Sequence, residues 1–134
     1  MWRPSTGWWY WLKSSSNYTT GAQIQWGSGS VGDIPLVGDL DGDGRSEVIV
    51  WRGRTGDWLW VTSSSGFTRQ GSVRWGSQSG GDIPLIGDFD GDLVDDIAVW
   101  RASTGTWFWL QSTTGWTVGM TVTWGGRGDI PLVR

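Results

Sequence analysis

The chain contains neither cysteine nor histidine, and these two absences exclude much of enzyme chemistry. Without cysteine there is no disulfide framework, no thiolate nucleophile and no thiolate metal site. Without histidine there is no serine–histidine triad, no imidazole-bound zinc and no imidazole general base for neutral pH. The single lysine, Lys13, is not surrounded by a glycine-rich phosphate loop. The composition therefore predicts that the protein is not an enzyme.

Long apolar runs and a basic surface stripe are also missing from the sequence. No apolar stretch approaches the roughly 18 residues that a membrane span needs, and residues 1–10 lack the pattern of a signal peptide. The 10 basic residues are not clustered as they are on a nucleic-acid-binding face. We therefore expect no membrane span and no nucleic-acid partner.

Tryptophan, glycine and segregated acidic residues are what the sequence has in abundance. The 134 residues include 14 Trp and 23 Gly. Nine of the 13 acidic residues fall within residues 39–47 and 88–96, although the formal net charge is only −3. Such segregation indicates a local role for the acids rather than a generally solubilising surface.

The sequence repeats itself at a fixed period. A segment that begins WR and contains TG followed by W-x-W recurs at Trp2, Trp51 and Trp100, in steps of 49 residues. Residues 32–76 and 81–125 are identical at 23 of 45 aligned positions, which indicates copies of one structural unit. The GDIPL motif begins at Gly32, Gly81 and Gly128, the last copy following a loop two residues shorter than the others.

Each repeat contains four short runs rich in Trp, Val and Ile between glycine-rich turns, which predicts four antiparallel strands. No window has apolar residues at a period of 3.6, so no helix is expected. Four strands in about 45–50 residues, repeated, are typical of a β-propeller blade; a two-sheet sandwich would not need a fixed period. The predicted strands are Ile34–Val37; Glu47–Arg52 and Asp96–Arg101; Trp9–Leu12, Trp58–Val61 and Trp107–Leu110; and Gln23–Trp26, Ser72–Trp75 and Thr121–Trp124.

We therefore predict an all-β fold of β-propeller blades with four antiparallel strands each, about three blades per chain, in one repeat array over residues 1–134. Its parts are a partial blade 1–31, blades 32–80 and 81–127, and the first strand of a further blade, 128–134. Fewer than three complete blades do not close a ring, and open sheet edges aggregate. We expect oligomerisation to complete the ring, with a six-bladed homodimer favoured over a filament or an excerpt of a longer propeller.

The acidic segment Asp39–Glu47 is the densest chemical signal. Carboxylates at its positions 1, 3, 5 and 9 and a backbone carbonyl at position 7 are hard oxygen ligands, which suit calcium better than magnesium. The segment Asp88–Asp96 keeps the four carboxylates but has Leu93 where the first loop has Gly44, which weakens the second site if a positive φ is required there. The alternative for both loops is an acid-rich turn that caps strand ends.

The run GDLDGDGRSEVIVWR followed by TGDWLW resembles the FG-GAP/VCBS type of repeat, known from integrin-like β-propellers and many bacterial surface proteins. The resemblance covers essentially the whole chain and implies Ca²⁺ bound between the first two strands of a blade, at the cell surface or outside the cell. Glu47 and Leu93 depart from the usual Asp and Gly. The implied calcium ligands are Asp39, Asp41, Asp43, the Arg45 carbonyl and Glu47, and in the second loop Asp88, Asp90, Asp92, the Val94 carbonyl and Asp96.

The tryptophans divide into packing and ligand candidates. The i, i+2 pairs on the third strands place both rings on one face, which favours packing between blades. Four others are candidates for stacking on sugar rings, with packing as the alternative reading: Trp8, Trp26, Trp75 and Trp124. Position 18/67/116 is always aromatic, as Tyr18, Phe67 and Trp116, and the sequence leaves open whether it plugs the fold or contacts a ligand.

Three functions are compatible with these features. The prediction is a non-enzymatic, lectin-like β-propeller with calcium-stiffened loops and carbohydrate recognition between blades, where repetition of weak sites gives avidity. The alternative is a structural or adhesion assembly that self-associates without a sugar ligand. A hydrolase using paired carboxylates is the weakest hypothesis, because most Asp residues already belong to the loops, and Asp33, Asp82 and Asp129 open equivalent GDIP turns.

Overall fold

The computed structural model describes residues 1–133, which form eleven β-strands and four single-turn 3₁₀ helices. The strands are β1 (Trp2–Arg3), β2 (Trp8–Leu12), β3 (Gly21–Gln25), β4 (Asp33–Gly38), β5 (Glu47–Arg52), β6 (Asp57–Val61), β7 (Gln70–Arg74), β8 (Asp82–Gly87), β9 (Asp96–Arg101), β10 (Thr106–Leu110) and β11 (Gly119–Thr123). The 3₁₀ helices are Ser14–Ser16, Gly29–Val31, Gln78–Gly80 and Ser112–Thr114.

The strands form three antiparallel sheets in which each strand pairs with its neighbours in sequence. The first sheet is β1–β2–β3, the second is β4–β5–β6–β7, and the third is β8–β9–β10–β11. The second and third sheets have matching registers: Asp33 lies opposite Arg52 in one, and Asp82 lies opposite Arg101 in the other. The prediction of an all-β fold with about three four-stranded units is confirmed, the first unit having three strands.

Glycine at a repeat-equivalent position closes the turn between β1 and β2, between β5 and β6, and between β9 and β10. Gly56 has a φ of +77°, and a Cβ atom there would collide with the carbonyl oxygen of Gly76. Only glycine tolerates both the left-handed conformation and this close backbone approach. The same arrangement recurs at Gly7 and Gly105, which explains why TG appears in every repeat.

The second sheet is covered on both faces and contains the core. On one face Val48, Val50 and Val61 pack against Trp9 of the first sheet. On the other face, the buried side chains of the second and third sheets form a single apolar cluster. Strand β5 is therefore buried on both faces, as expected for the middle of a stack of sheets. This second cluster consists of Leu40, Ile49, Trp51, Trp58, Trp60, Ile86, Ile97, Val99 and Leu110.

The main deviations from the predicted elements concern strand ends and short helices. The outermost strands begin two residues earlier than predicted and end one residue before Trp26, Trp75 and Trp124. The amide of each of these tryptophans instead donates to the turn glycine, as Trp75 N does to Gly56 O at 2.8 Å. The 3₁₀ turns were not predicted, because three-residue helices leave no periodic apolar pattern. None of the described residues form a helix long and apolar enough to cross a membrane.

The chain after β11 contains no strand within residues 128–133, where no neighbouring strand pairs with it. Backbone hydrogen bonding to a neighbour is what defines a strand, so an isolated extended segment is not counted as one. Arg134 lies outside the described residues. The first strand of a further blade at residues 128–134 therefore stays a prediction.

Candidate metal-binding loops and tryptophan sites

The loop between β4 and β5 folds around its own first residue. The Asp39 carboxylate accepts hydrogen bonds from the amides of Gly42 (2.8 Å) and Asp43 (3.1 Å) on Oδ1 and from Gly44 (2.8 Å) on Oδ2. In the loop between β8 and β9, Asp88 is bonded in the same way by the amides of residues 91–93. These bonds, above all the one from Leu93, hold the pKa of Asp88 below its ordinary value. Each loop is thus held in shape by hydrogen bonds from its own backbone amides to its first carboxylate.

Three carboxylates converge in each loop. Asp39, Asp41 and Asp43 each offer an oxygen atom, and these atoms lie within 4.8 Å of one another. Their nearby side-chain donors are neutral hydroxyls: Ser64 Oγ donates to Asp41 at 2.6 Å and Ser63 Oγ donates to Asp43 at 2.9 Å. Three like charges at this spacing repel one another unless a cation lies among them. The second loop presents the equivalent group Asp88, Asp90 and Asp92.

The two acids predicted at position 9 are not members of these groups, and both are fully buried. Glu47 accepts hydrogen bonds from the amides of Leu40 (2.7 Å) and Ser63 (2.9 Å), and Asp96 accepts one from the amide of Ser112 (2.8 Å). Burial raises the pKa of both carboxyls, and the amide hydrogen bonds offset part of that rise. Asp96 also accepts a hydrogen bond from the amide of Phe89 at 3.3 Å, so each acid links its loop to the segment just after the third strand of its sheet. Their role as cation ligands, like that of the Arg45 and Val94 carbonyls, stays a prediction.

Leu93 adopts the left-handed conformation that its position in the loop requires. Its φ is +74°, close to the +80° of Gly44 at the equivalent place in the first loop. The side chain is 87% exposed and gains little packing to offset the backbone strain. The positive φ that the sequence analysis made the condition for a weaker second site is therefore present at Leu93.

The two loops contact each other through Asp95, a residue that the sequence did not single out. Its carboxylate accepts a hydrogen bond from the Asp39 amide at 2.8 Å, and its own amide donates to the Asp39 carbonyl at 2.8 Å. The signal available in the sequence was weak, because the repeat-equivalent residue is Ser46. This pair of bonds fixes the first loop relative to the second.

An ion pair between a buried aspartate and a half-buried arginine joins the first two strands of both complete sheets. Arg52 donates to Asp33 through Nε (2.8 Å) and Nη2 (3.0 Å), and Arg101 makes the same two bonds to Asp82. Both aspartate side chains are inaccessible to solvent. The interpretation of these aspartates as structural turn residues therefore fits the structure, and they do not form a paired-carboxylate hydrolase site. The recurrence of GD and WR at the same period was a signal for this pair.

The four tryptophans predicted as sugar contacts are placed differently from one another. Trp26 and Trp75 are half-buried at the boundaries between sheets, and Trp26 Nε1 donates to the Leu59 carbonyl of the next sheet at 3.1 Å. Trp124 is 78% exposed. Trp8 is half-buried, with its ring tilted against Tyr10 at a centroid distance of 6.3 Å.

The aromatic position 18/67/116 packs between sheets. Phe67 lies edge-on to Trp11 at 5.4 Å, and Trp116 lies edge-on to Trp60 at 5.6 Å. Both residues have a positive φ (63° and 66°), so each ring is presented to the preceding sheet at a cost in backbone strain. Tyr18 shares this backbone conformation but is 62% exposed. The structure thus favours packing at this position.

Both acidic loops and the aromatic core between them fall within one segment that is similar to a known family. Residues 39–99 match the family model of the FG-GAP-like repeat. The resemblance expected from the sequence is confirmed for this segment, and with it a propeller-like arrangement of the sheets. FG-GAP-like repeats suggest a binding or adhesion module of the β-propeller type, and such repeat domains are generally non-enzymatic and often bind calcium. Comparisons with curated proteins and with solved structures give no significant match.

Proposed function

We propose that the protein is a non-enzymatic β-propeller-type binding module whose two acidic loops are stiffened by Ca²⁺. The observation that carries the proposal is the convergence of three carboxylates in each loop, with oxygen atoms within 4.8 Å of one another. Two consecutive FG-GAP-like units present the same group at the same place, between the first and second strands of a sheet. Calcium accepts such flexible all-oxygen environments, whereas magnesium demands tighter octahedral geometry and retains more water.

The charge pattern supports a structural role for the cation. Asp41, Asp43, Asp90 and Asp92 are exposed in the loops between the first and second strands of the second and third sheets, so a bound cation would neutralise local repulsion there. Asp39 and Asp88 already hold the loop backbones, so the metal would act on loops that are largely formed. We therefore expect calcium to raise stability rather than to create the fold.

Thermal unfolding with Ca²⁺, with Mg²⁺ and with a chelator tests this role. Calcium should raise the Tm in a concentration-dependent way, since a ligand that binds only the folded state stabilises it by mass action. Asp41→Asn combined with Asp90→Asn should abolish the calcium-induced rise, whereas Asp57→Asn, which removes an acid outside the loops, should retain it. A Tm that is the same in calcium and in chelator would refute the metal assignment.

We further propose that the tryptophans just after the outermost strands, Trp26, Trp75 and Trp124, recognise carbohydrate. Trp26 and Trp75 keep part of their ring surface accessible at the two boundaries between sheets, and Trp124 offers a large exposed ring. Indole faces stack on the apolar C–H faces of sugars, and neighbouring polar groups bond the hydroxyls. Three equivalent sites along one stack would bind a multivalent glycan with avidity.

A glycan array run in calcium and in chelator separates this proposal from an adhesion assembly without a sugar ligand. Sugar-selective binding that free monosaccharide inhibits, and that Trp26→Ala or Trp75→Ala weakens, supports recognition of carbohydrate. Trp8→Ala tests the fourth candidate separately, because Trp8 has no equivalent in the other repeats. Absence of binding in calcium overturns the lectin proposal and favours the assembly.

Self-association is the second candidate function, and it is favoured by apolar surface at both ends of the stack. Tyr18 (62%) and Leu12 (58%) are exposed on the first sheet, and Trp124 (78%) and Val122 (50%) on the third. Exposed aromatic faces of this kind mark interaction sites. We propose a homo-oligomer in which two copies of the chain complete six sheets. A mass equal to that of one protomer at all accessible concentrations would refute it.

A further inference from the structure

The paired arginine and aspartate of the second and third sheets define a module with three parts. Asp33 accepts from Arg52, and its Oδ2 also accepts from the amide of Ser28, two residues after Trp26, at 2.8 Å. Asp82 repeats this arrangement, with the Ser77 amide at 2.8 Å. Each aspartate is thus fixed by an amide of the preceding loop while it binds the guanidinium of the adjacent strand.

The same module occurs a third time, but its two halves lie at opposite ends of the molecule. Asp129 Oδ2 accepts from the amide of Gly126, again two residues after a tryptophan, at 2.9 Å. Within residues 1–133 this carboxylate has no arginine partner. Arg3 occupies the position equivalent to Arg52, yet its guanidinium reaches only the Tyr10 ring (5.2 Å) and hydroxyl (3.4 Å). The second sheet separates the two residues, so they do not meet within one chain.

The aromatic contacts between sheets are divided in the same way. Trp11 meets Phe67 of the next sheet and Trp60 meets Trp116, both edge-on. Trp109 is the repeat-equivalent of Trp11 and Trp60, and it meets no ring from a following sheet within the described residues. Tyr18 is the repeat-equivalent of Phe67 and Trp116, and it is exposed.

The surfaces that carry these unmatched residues are concave and apolar. Met1, Tyr10, Leu12 and Tyr18 line a depression of about 710 Å³ on the first sheet. Phe89, Trp107, Trp109, Trp124 and Leu132 line one of about 410 Å³ on the third. The equivalent surfaces elsewhere in the chain are covered by the sheet of the neighbouring repeat. The occupant that fits each surface is therefore the opposite end of a second copy of this chain.

We propose that copies of the chain associate head to tail in one defined register, in which Asp129 of one copy pairs with Arg3 of the next. The register is that of β4 with β5, where Asp33 lies opposite Arg52 and Ile34 opposite Trp51; it places Ile130 opposite Trp2. The same docking brings Trp109 edge-on to Tyr18 of the second copy. The inference rests on the self-association proposed above and assigns its contacts. Closure of two copies by a two-fold axis gives a ring of six sheets.

Charge reversal tests the pair by sedimentation equilibrium. Asp129→Arg and Arg3→Asp should each weaken self-association by at least about tenfold, because like charges then face each other at the contact. An equimolar mixture of the two variants should associate again, since every contact in the mixed pair regains an opposite charge. Both residues are exposed, so circular dichroism should show intact folds. Reversal of the pair Asp57 and Arg74, which lies within one sheet, serves as the control and should change nothing.

Cross-linking tests the register independently, because the natural chain has no cysteine. A mixture of Arg3→Cys and Asp129→Cys should form a disulfide-linked pair on oxidation, whereas Arg74→Cys mixed with Asp129→Cys should not. If the chain associates but neither the mixed charge variants nor the cysteines behave in this way, the register is wrong while self-association stands. If the natural chain stays monomeric at about 100 μM, a concentration at which weak associations are populated, self-association itself is refuted.

Discussion

At the scale of single residues, Leu93 shows how the two acidic loops differ. Its φ of +74° is a conformation that costs a residue with a Cβ atom about 1 kcal/mol or more. Its side chain is exposed, so packing offsets little of this cost. We expect Leu93→Gly to stabilise the protein by about 0.5–1 kcal/mol, measured by chemical denaturation, because glycine adopts this φ freely. Leu93→Ala keeps the Cβ atom and should have little effect. A destabilising Leu93→Gly substitution would show that backbone strain is not what distinguishes the second loop.

At the scale of strands, the ion pair between β4 and β5 shows that burial determines how much an ion pair contributes to the free energy of unfolding. Asp33 is inaccessible to solvent, so Arg52→Met would leave an uncompensated carboxylate beneath the sheet surface. We expect a loss of about 3 kcal/mol in the free energy of unfolding. Arg74→Met breaks an ion pair of equal length, 2.8 Å, whose arginine is 74% exposed, and it should cost much less. Equal losses for the two variants would contradict this explanation.

At the scale of the whole molecule, the number of neighbours of each sheet sets the local stability. The second sheet is covered on both faces, whereas all five residues of β11 in the third sheet are exposed. In dilute solution we expect amide hydrogen exchange to be slowest in β5 and at least about a hundredfold faster in β11, since local opening requires less buried surface to be exposed. Strand β7 occupies the equivalent place in a covered sheet and should exchange more slowly than β11. Equal exchange in β7 and β11 would argue against a stack stabilised sheet by sheet.

The fixed period explains why much of the fold was predictable from the sequence. Strands β5 and β9 have the bounds that the apolar runs predict, because turn residues limit them on both sides. The sequence did not decide the role of Phe67 and Trp116, since a positive φ at an aromatic residue depends on packing against a ring 56 residues away in the chain. Likewise, the contact between Asp95 and Asp39 depends on how neighbouring sheets approach, which no local pattern specifies.

The exposure of Trp124 gives the molecule an internal optical reporter. It is exposed, while the other thirteen tryptophans are buried or half-buried. A water-exposed indole emits at longer wavelength than buried ones and is reached first by a dissolved quencher. Excitation energy also migrates among closely spaced indoles, and Trp107, which packs against Trp100, donates its Nε1 to the backbone carbonyl of Trp124 at 3.1 Å. The red edge of the emission spectrum therefore reports on whether this end of the stack is covered, without any label attached.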